Sequence, residues 1–178
     1  MNTTKVIVVD ENDNIIGYKN RSDRNPDDII RISSLWVENE KGEVLIAQRS
    51  FKKKNSPGKW GPAVAGTLEQ GETYESNILK EIQEELGIKL KLEQLKFTGT
   101  VFRDSGRKYY AGSFFTILES QTVFDLPVEE VENVKWISWD NLENDMKNNS
   151  DNYVIFSDKG VMPHVKEWKK NHESNKRQ

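Results

Sequence analysis

The order of elements along the 178-residue chain predicts an α/β fold in which a mixed sheet lies between helices, in one domain covering residues 1–178. Three observations carry this expectation. Short apolar runs rich in Val and Ile come in hairpin-like pairs before any helix, a helical repeat falls mid-chain, and two further helical stretches close it. The length suits a single core, and no internal repeat, low-complexity tract or long linker divides the chain.

The first pair, Lys5–Asp10 and Ile15–Lys19, turns through the polar Glu11–Asn14 and forms an N-terminal hairpin over about residues 4–20. Asn20–Asp28 reads as polar loop. Ile29–Glu38 and Glu43–Arg49 are a second strand pair around Asn39–Gly42, whose glycine supplies the positive backbone angle of a tight turn. Ser50–Pro62 carries four lysines, two prolines and two glycines, so it is expected to be a cationic loop without regular structure. Ala63–Leu68 is a short strand. Thr73–Leu86 is helical because Ile78, Leu79, Ile82 and Leu86 share one face, and Gly87 stops it. Leu95–Asp104 and Tyr109–Leu118 are strands either side of a turn, and Lys135–Trp139 is a further short strand. Trp139–Asn148 and Pro163–Asn171 are helices, with Pro163 expected at the first helical position. Residues 171–178 are polar and expected to fray.

Composition removes several functions. A net charge of -3 with 31% charged residues gives no basic field for a nucleic acid polymer. The absence of cysteine excludes disulfides, thiolate metal sites and a cysteine nucleophile, and fits a reducing compartment. The N-terminus lacks the pattern of a signal or transit peptide, and no apolar run approaches the roughly 18 residues a bilayer span needs. A cytoplasmic location without membrane contact follows by elimination.

At 100° per residue, Glu81, Glu84 and Glu85 fall in one sector of the central helix beside its apolar stripe. Like charges at these spacings destabilise a helix by about 0.2–0.5 kcal/mol per pair. Two of the three also lie in the last turn, where the dipole favours cations. A divalent cation with oxygen ligands relieves both conflicts; a solvated acidic face is the alternative.

The segment GTLEQGETYESNILKEIQEELGI, Gly66 to Ile88, resembles the Nudix box, the signature of the Nudix hydrolase family. Gly66, Glu72, Glu81, Ile82, Glu84, Glu85, Gly87 and Ile88 match in register. At about 7% usage per residue type, six fixed Gly and Glu positions coincide by chance roughly once in ten million windows, so the match is specific. One position departs: Lys80 replaces the arginine, keeping charge but losing the planar fork that grips a carboxylate through two bonds.

The resemblance implies an alpha/beta/alpha sandwich, here with the extra N-terminal hairpin, and a metal-dependent hydrolase that cleaves a diphosphate linkage in a nucleoside diphosphate derivative or related diphosphate. The implied cofactor is Mg2+, with Mn2+ as a substitute. Glu81 and Glu85 are the implied metal ligands, with Glu84 either a third ligand or the proton acceptor and the Ala65 carbonyl a backbone ligand. Glu72 is expected to brace Lys80 and the loop. A further base is sought among Glu129, Glu130 and Glu132, with Glu130 first, so Glu84, Glu85 and Glu130 are the catalytic candidates. Arg49 leads the phosphate-binding candidates, followed by Lys54, Lys59 and Arg103, and Trp60 is placed to stack on a base or apolar tail. His164 and His172 receive no role.

The leader VVDENDNIIGYKNRSD and the loop KKNSPGKWGPAVAG are similar to the subgroup that includes isopentenyl diphosphate isomerase. That isomerase uses a cysteine and histidine ligands; this chain has no cysteine and two histidines far from the box, which favours a hydrolase. A non-catalytic diphosphate or nucleotide sensor is the rival from another class. The expected partner is a small diphosphate, and the edges of the N-terminal hairpin leave a homodimer open.

Overall fold

The structure, a computed structural model, describes residues 4–104, 106–154 and 161–174. Its axis is β3 (Ile29–Glu38), around which β1 (Lys5–Val9), β2 (Ile15–Asn20), β4 (Glu43–Arg49), β5 (Trp60–Pro62), β6 (Val64–Thr67), β7 (Lys96–Asp104), β8 (Lys108–Ile117) and β9 (Val131–Ser138) are arranged. The helices are α1 (Tyr74–Leu86), α2 (Trp139–Asn148) and α3 (Val161–Ser174).

The sheet is mixed. β8 runs parallel to β3 from Ile30↔Tyr109 to Glu38↔Ile117 and occupies one edge of it. The other edge is shared in turn by β1 at Ile29 and Ile30, β6 at Ile32 to Leu35, and β4 at Val37 and Glu38, all antiparallel. β4 then splays away and pairs with β5 and β9.

Side chains alternate across a strand, and that period sorts the core into two layers. Leu35, Val37, Leu45, Val64 and Phe114 pack with Ile78, Ile82 and Leu86 of α1. Trp36, Val44, Ile46 and Phe115 point the other way, onto Leu142 and Met146 of α2 and Met162 and Val165 of α3. The expected sandwich is therefore present, with α1 on one face and α2 and α3 on the other.

Both ends of α1 are fixed by local chemistry. Thr73 Oγ1 accepts from Ser76 N at 3.2 Å while Ser76 Oγ accepts from Thr73 N at 2.9 Å, a reciprocal cap. Gly87 closes the helix at φ 67° and lies so near the Asp125 backbone that a side chain would collide with it. The N-terminal hairpin is tied to β3 and to this helix: Arg31 Nε of β3 donates to Asp13 Oδ1 at 2.7 Å, and the Tyr74 hydroxyl of α1 donates to Asp13 Oδ2 at 3.3 Å.

Four details differ from the sequence expectation. Trp60–Pro62, placed in the loop, is the strand β5, because β4 offers a free edge to which Trp60, Gly61 and Pro62 align; lysine content described only the residues before it. β9 starts at Val131 and not at Lys135, since exposed Glu132 and Asn133 mask a backbone that follows β4 along its length. Pro163 is the third residue of α3, still within the turn whose N–H groups have no helical partner. α3 also continues to Ser174 where fraying was expected from Asn171, its Trp168 ring packed 5.8 Å from Phe115; residues 175–178 of that tail lie outside the described residues. No helix among the described residues is long and apolar enough to cross a membrane.

Candidate active site

β6 carries Ala65 and Gly66 past the second half of α1, and two box glutamates turn toward it. Glu85 Oε2 accepts the Ala65 N–H at 3.1 Å. The Glu81 carboxylate lies over Gly66 so closely that a β-carbon there would overlap its Cγ and Cδ. Glycine is thus required by the approach of a side chain to backbone, not by an unusual φ.

Behind these two acids lies a buried polar hub. Asn77, with no exposed surface, accepts from Ser33 Oγ at 2.5 Å and donates to Glu72 Oε2 at 2.8 Å and Glu81 Oε1 at 3.3 Å. Lys80 Nζ sits 2.6 Å from Glu72 Oε1, 3.6 Å from Glu69 Oε2 and 3.7 Å from Glu81 Oε1. Glu72 also accepts the Glu69 N–H at 2.8 Å, so it ties Lys80 to the turn before α1. Burial opposes its charge, but Lys80, the Glu69 N–H and Asn77 together hold its carboxyl below the usual range. Replacing Asn77 by Ala should destabilise the protein by about 2 kcal/mol, because the Ser33 hydroxyl and a Glu72 oxygen lose a buried partner. Urea unfolding of the two proteins measures this, and a difference near zero would mean water replaces the amide.

The other two acids are under opposite stress. Burial, then the charge of Glu81, pushes the Glu85 carboxyl up to about 8, with Ala65 N–H and Arg49 pulling it back. Burial likewise raises Glu81, with Lys80 opposing and Glu84 adding to the rise. A group whose folded value exceeds its unfolded value holds more protons folded than unfolded between the two, so stability falls as pH rises through that window. Metal-free protein should therefore lose stability from about pH 4.5 to about pH 8, the ordinary and raised values of Glu85. Melting curves in chelator across this range should slope downward and flatten when Mg2+ is added; a flat metal-free profile would contradict the assignment.

Glu85 opens on a shallow hollow that it shares with Ala65, Arg49, Pro62, Glu130 and Val154. Glu130 is the only one of Glu129, Glu130 and Glu132 that lines it. The loop after β4 is strapped to the segment before β9: Lys53 pairs with Glu130, Lys52 with Glu129 at 2.5 Å, and Ser50 Oγ donates to the Val128 carbonyl at 2.6 Å. Arg49 spends its Nε on the Asn55 carbonyl at 3.1 Å.

Other candidates stand elsewhere. Glu84 is exposed and makes no side-chain hydrogen bond or ion pair among the described residues. Among the described residues, no group of three His, Cys, Asp or Glu side chains is already gathered at metal-binding spacing. Each acid has turned to its own donor or to solvent, as unneutralised like charges do. Lys80, which Glu72 was expected to brace, lies between Glu72 and Glu81. Lys54 is exposed, and the Lys59 carbonyl accepts the Arg49 N–H at 2.9 Å. Trp60 packs on the α2 and α3 layer with Lys135 Nζ 4.3 Å over its ring, outside the hollow. Arg103 pairs across the ladder with Tyr109, a member of the same layer, on the sheet face away from α1.

Sequence reasoning missed Asn77 and Lys53. A poor helix former one position before the apolar stripe was a usable signal for the first; nothing distinguished Lys53 from Lys52 and Lys54.

The donors that converge here are all oxygens, and two carboxylates are held against each other without a full counter-charge, which fits a hard divalent cation. Residues 30–158, more than half of the chain, match the family described as the NUDIX domain. A Nudix hydrolase of Nostoc sp., described as uncharacterized, is 31% identical over 114 residues, which is 63% of this chain and 66% of that protein. The isopentenyl-diphosphate Delta-isomerase of Salmonella heidelberg is 42% identical over 57 residues, 32% of each chain. This chain thus spans just under two thirds of the first relative and about one third of the second. Among solved structures, DR0079 of Deinococcus radiodurans superposes with a TM-score of 0.68 at 20% identity, covering 82% of this chain and 90% of its own. A bifunctional NMN adenylyltransferase/ADP ribose pyrophosphatase of Francisella tularensis, complexed with AMP and a Mn ion, superposes at 0.52 with 22% identity, over 71% of this chain and 38% of its own.

Proposed function

The chain belongs to the Nudix family, and from that premise we propose that it is a metal-dependent hydrolase cleaving the diphosphate linkage of a nucleoside diphosphate derivative or related small diphosphate. One observation carries the reading: Glu85 is pressed against Ala65 beside Glu81 and Gly66, and opens on the hollow that also holds Arg49 and Glu130.

A bound Mg2+ or Mn2+ would neutralise phosphate charge and acidify a water. Glu81 and Glu85 would hold it, with the Ala65 carbonyl as backbone ligand. Glu84, exposed on the next position of the same helix, would swing in as a third ligand or accept the proton. Glu130 is the alternative acceptor, held by Lys53 until an incoming phosphate draws the ammonium away. Arg49 would grip a phosphate oxygen through the guanidinium nitrogens it does not commit to Asn55. The Francisella tularensis protein that shares this fold is complexed with AMP and a Mn ion, which is in keeping with a nucleotide and divalent-metal chemistry.

A module that binds diphosphates without cutting them is the reading that the isolated position of Glu84 would favour. Incubation with Mg2+ or Mn2+ and a panel of nucleotide sugars, dinucleotides, coenzymes and isoprenoid diphosphates, followed by product analysis, separates the two. Metal-dependent phosphate-anhydride cleavage is expected. Tight binding with no product under either metal would establish the sensor.

A further inference from the structure

β4 ends at Arg49, which lines the Glu85 hollow, and Phe51 follows two residues later, so their α-carbons are at most about 7 Å apart. Contacts tie Phe51 to the same rim. Its ring lies against Gly58, whose N–H donates to the Arg49 carbonyl at 3.1 Å and whose carbonyl accepts from Gln48 Nε2 at 2.9 Å. Gln48 and Arg49 both line the hollow.

A single exposed phenylalanine is ordinary, but this one is held in position. Gly58 has φ 69°, and a β-carbon there would fall 2.4 Å from Phe51 Cε1, so glycine serves the turn and leaves the ring its seat. The preceding residue is locked. Ser50 is fully buried, its N–H donates to the Glu130 carbonyl at 3.1 Å, its Oγ to the Val128 carbonyl at 2.6 Å, and its carbonyl accepts the Lys53 N–H at 3.1 Å. Phe51 nevertheless stays 65% exposed. Among the described residues no second aromatic ring and no cation packs on it, whereas Trp60 already carries Lys135 Nζ over its ring.

We propose that Phe51 is the stacking platform for the base of a nucleoside diphosphate derivative whose phosphates lie in the Glu85 hollow. The subsite rests on the diphosphate reading of that hollow and narrows its ligand to a nucleoside. Stacking on a fixed ring suits any planar base and tolerates water at its edges. An isoprenoid tail, by contrast, binds by removing its surface from water. An open ring on a loop whose Lys52, Lys54 and Asn55 are exposed offers no such enclosure.

Calorimetric titration in Mg2+ with two non-hydrolysable probes, α,β-methylene ADP and methylenediphosphonate, tests this without turnover. Wild-type protein should bind the nucleoside probe more tightly than the bare diphosphonate. Phe51→Ala should weaken the nucleoside probe about tenfold, the scale of one stacked base, and leave methylenediphosphonate unchanged. Phe51→Tyr should restore the affinity and Phe51→Leu should not. Equal affinity of the two probes for wild-type protein, equal weakening of both by Phe51→Ala, or full rescue by leucine would overturn the platform while leaving the diphosphate reading intact. Tighter binding of isopentenyl methylenediphosphonate than of the nucleoside probe, lost in Phe51→Ala, would reassign the ring to an apolar tail and overturn the nucleoside. Failure of wild-type protein to bind any of the probes would overturn the diphosphate reading and the platform together.

Discussion

Glu85→Gln should lower kcat/KM for metal-dependent diphosphate cleavage by about a thousandfold, the scale of removing several kcal/mol of charge stabilisation at the reacting phosphates. Glutamine preserves the shape and can still accept the Ala65 N–H, so the local backbone is kept while the negative charge is lost. The same substitution should raise the stability of metal-free protein above pH 8. Above that pH the wild-type carboxylate is ionised in a buried place beside Glu81, with its folded pKa near 8. Activity falling while stability rises is the signature of a group retained for chemistry at the expense of the fold. Rates with Mg2+ and urea midpoints at pH 9, measured on both proteins, check the pair. A variant that keeps wild-type turnover would remove Glu85 from the site altogether.

Gly66→Ala should cost on the order of a hundredfold in activity, the loss expected when a catalytic group is displaced by about 1 Å. The new methyl would occupy the space of the Glu81 Cγ and Cδ, so this carboxylate must leave its bonds to Asn77 and Lys80. What moves is the far end of a flexible side chain, and β6 still pairs with β3 through Ser33. The unfolding midpoint should therefore shift little. Gly87→Ala provides the contrast: there the methyl meets the Asp125 backbone and the residue holds φ 67°, so stability falls. If Gly66→Ala unfolded the protein as Gly87→Ala does, the close approach of Glu81 to β6 would be a packing contact and not part of a site.

Most of the architecture was legible because it depends on local periodicity. Ile78, Ile82 and Leu86 announced α1, Gly87 announced its end, and strand edges in β3 and β4 were readable to the residue. β5 was not legible, since three residues acquire strand geometry only from the free edge of β4. At the site, the spacing of the acids placed Glu81, Glu84 and Glu85 in one sector, and a helical wheel alone could not separate them. That separation depends on β6, which reaches Glu81 and Glu85 and leaves Glu84 in solvent. Arg103 and Trp60 illustrate the same limit: proximity in sequence to cationic or glycine-rich stretches says nothing about which face of a sheet a side chain takes. Asn77 is the opposite case, a residue whose low helix propensity was visible but whose meaning required Ser33 across the interface.

The parallel pairing of β3 with β8 has a consequence for biosynthesis. Ser34 and Ser113 face each other although 79 residues separate them, so this ladder cannot close until most of the polypeptide has left the ribosome. Helix α1 emerges well before its sheet is complete. Its apolar face, which packs on Phe114 of β8, is thus covered late, and a truncated nascent chain would leave that face open to water.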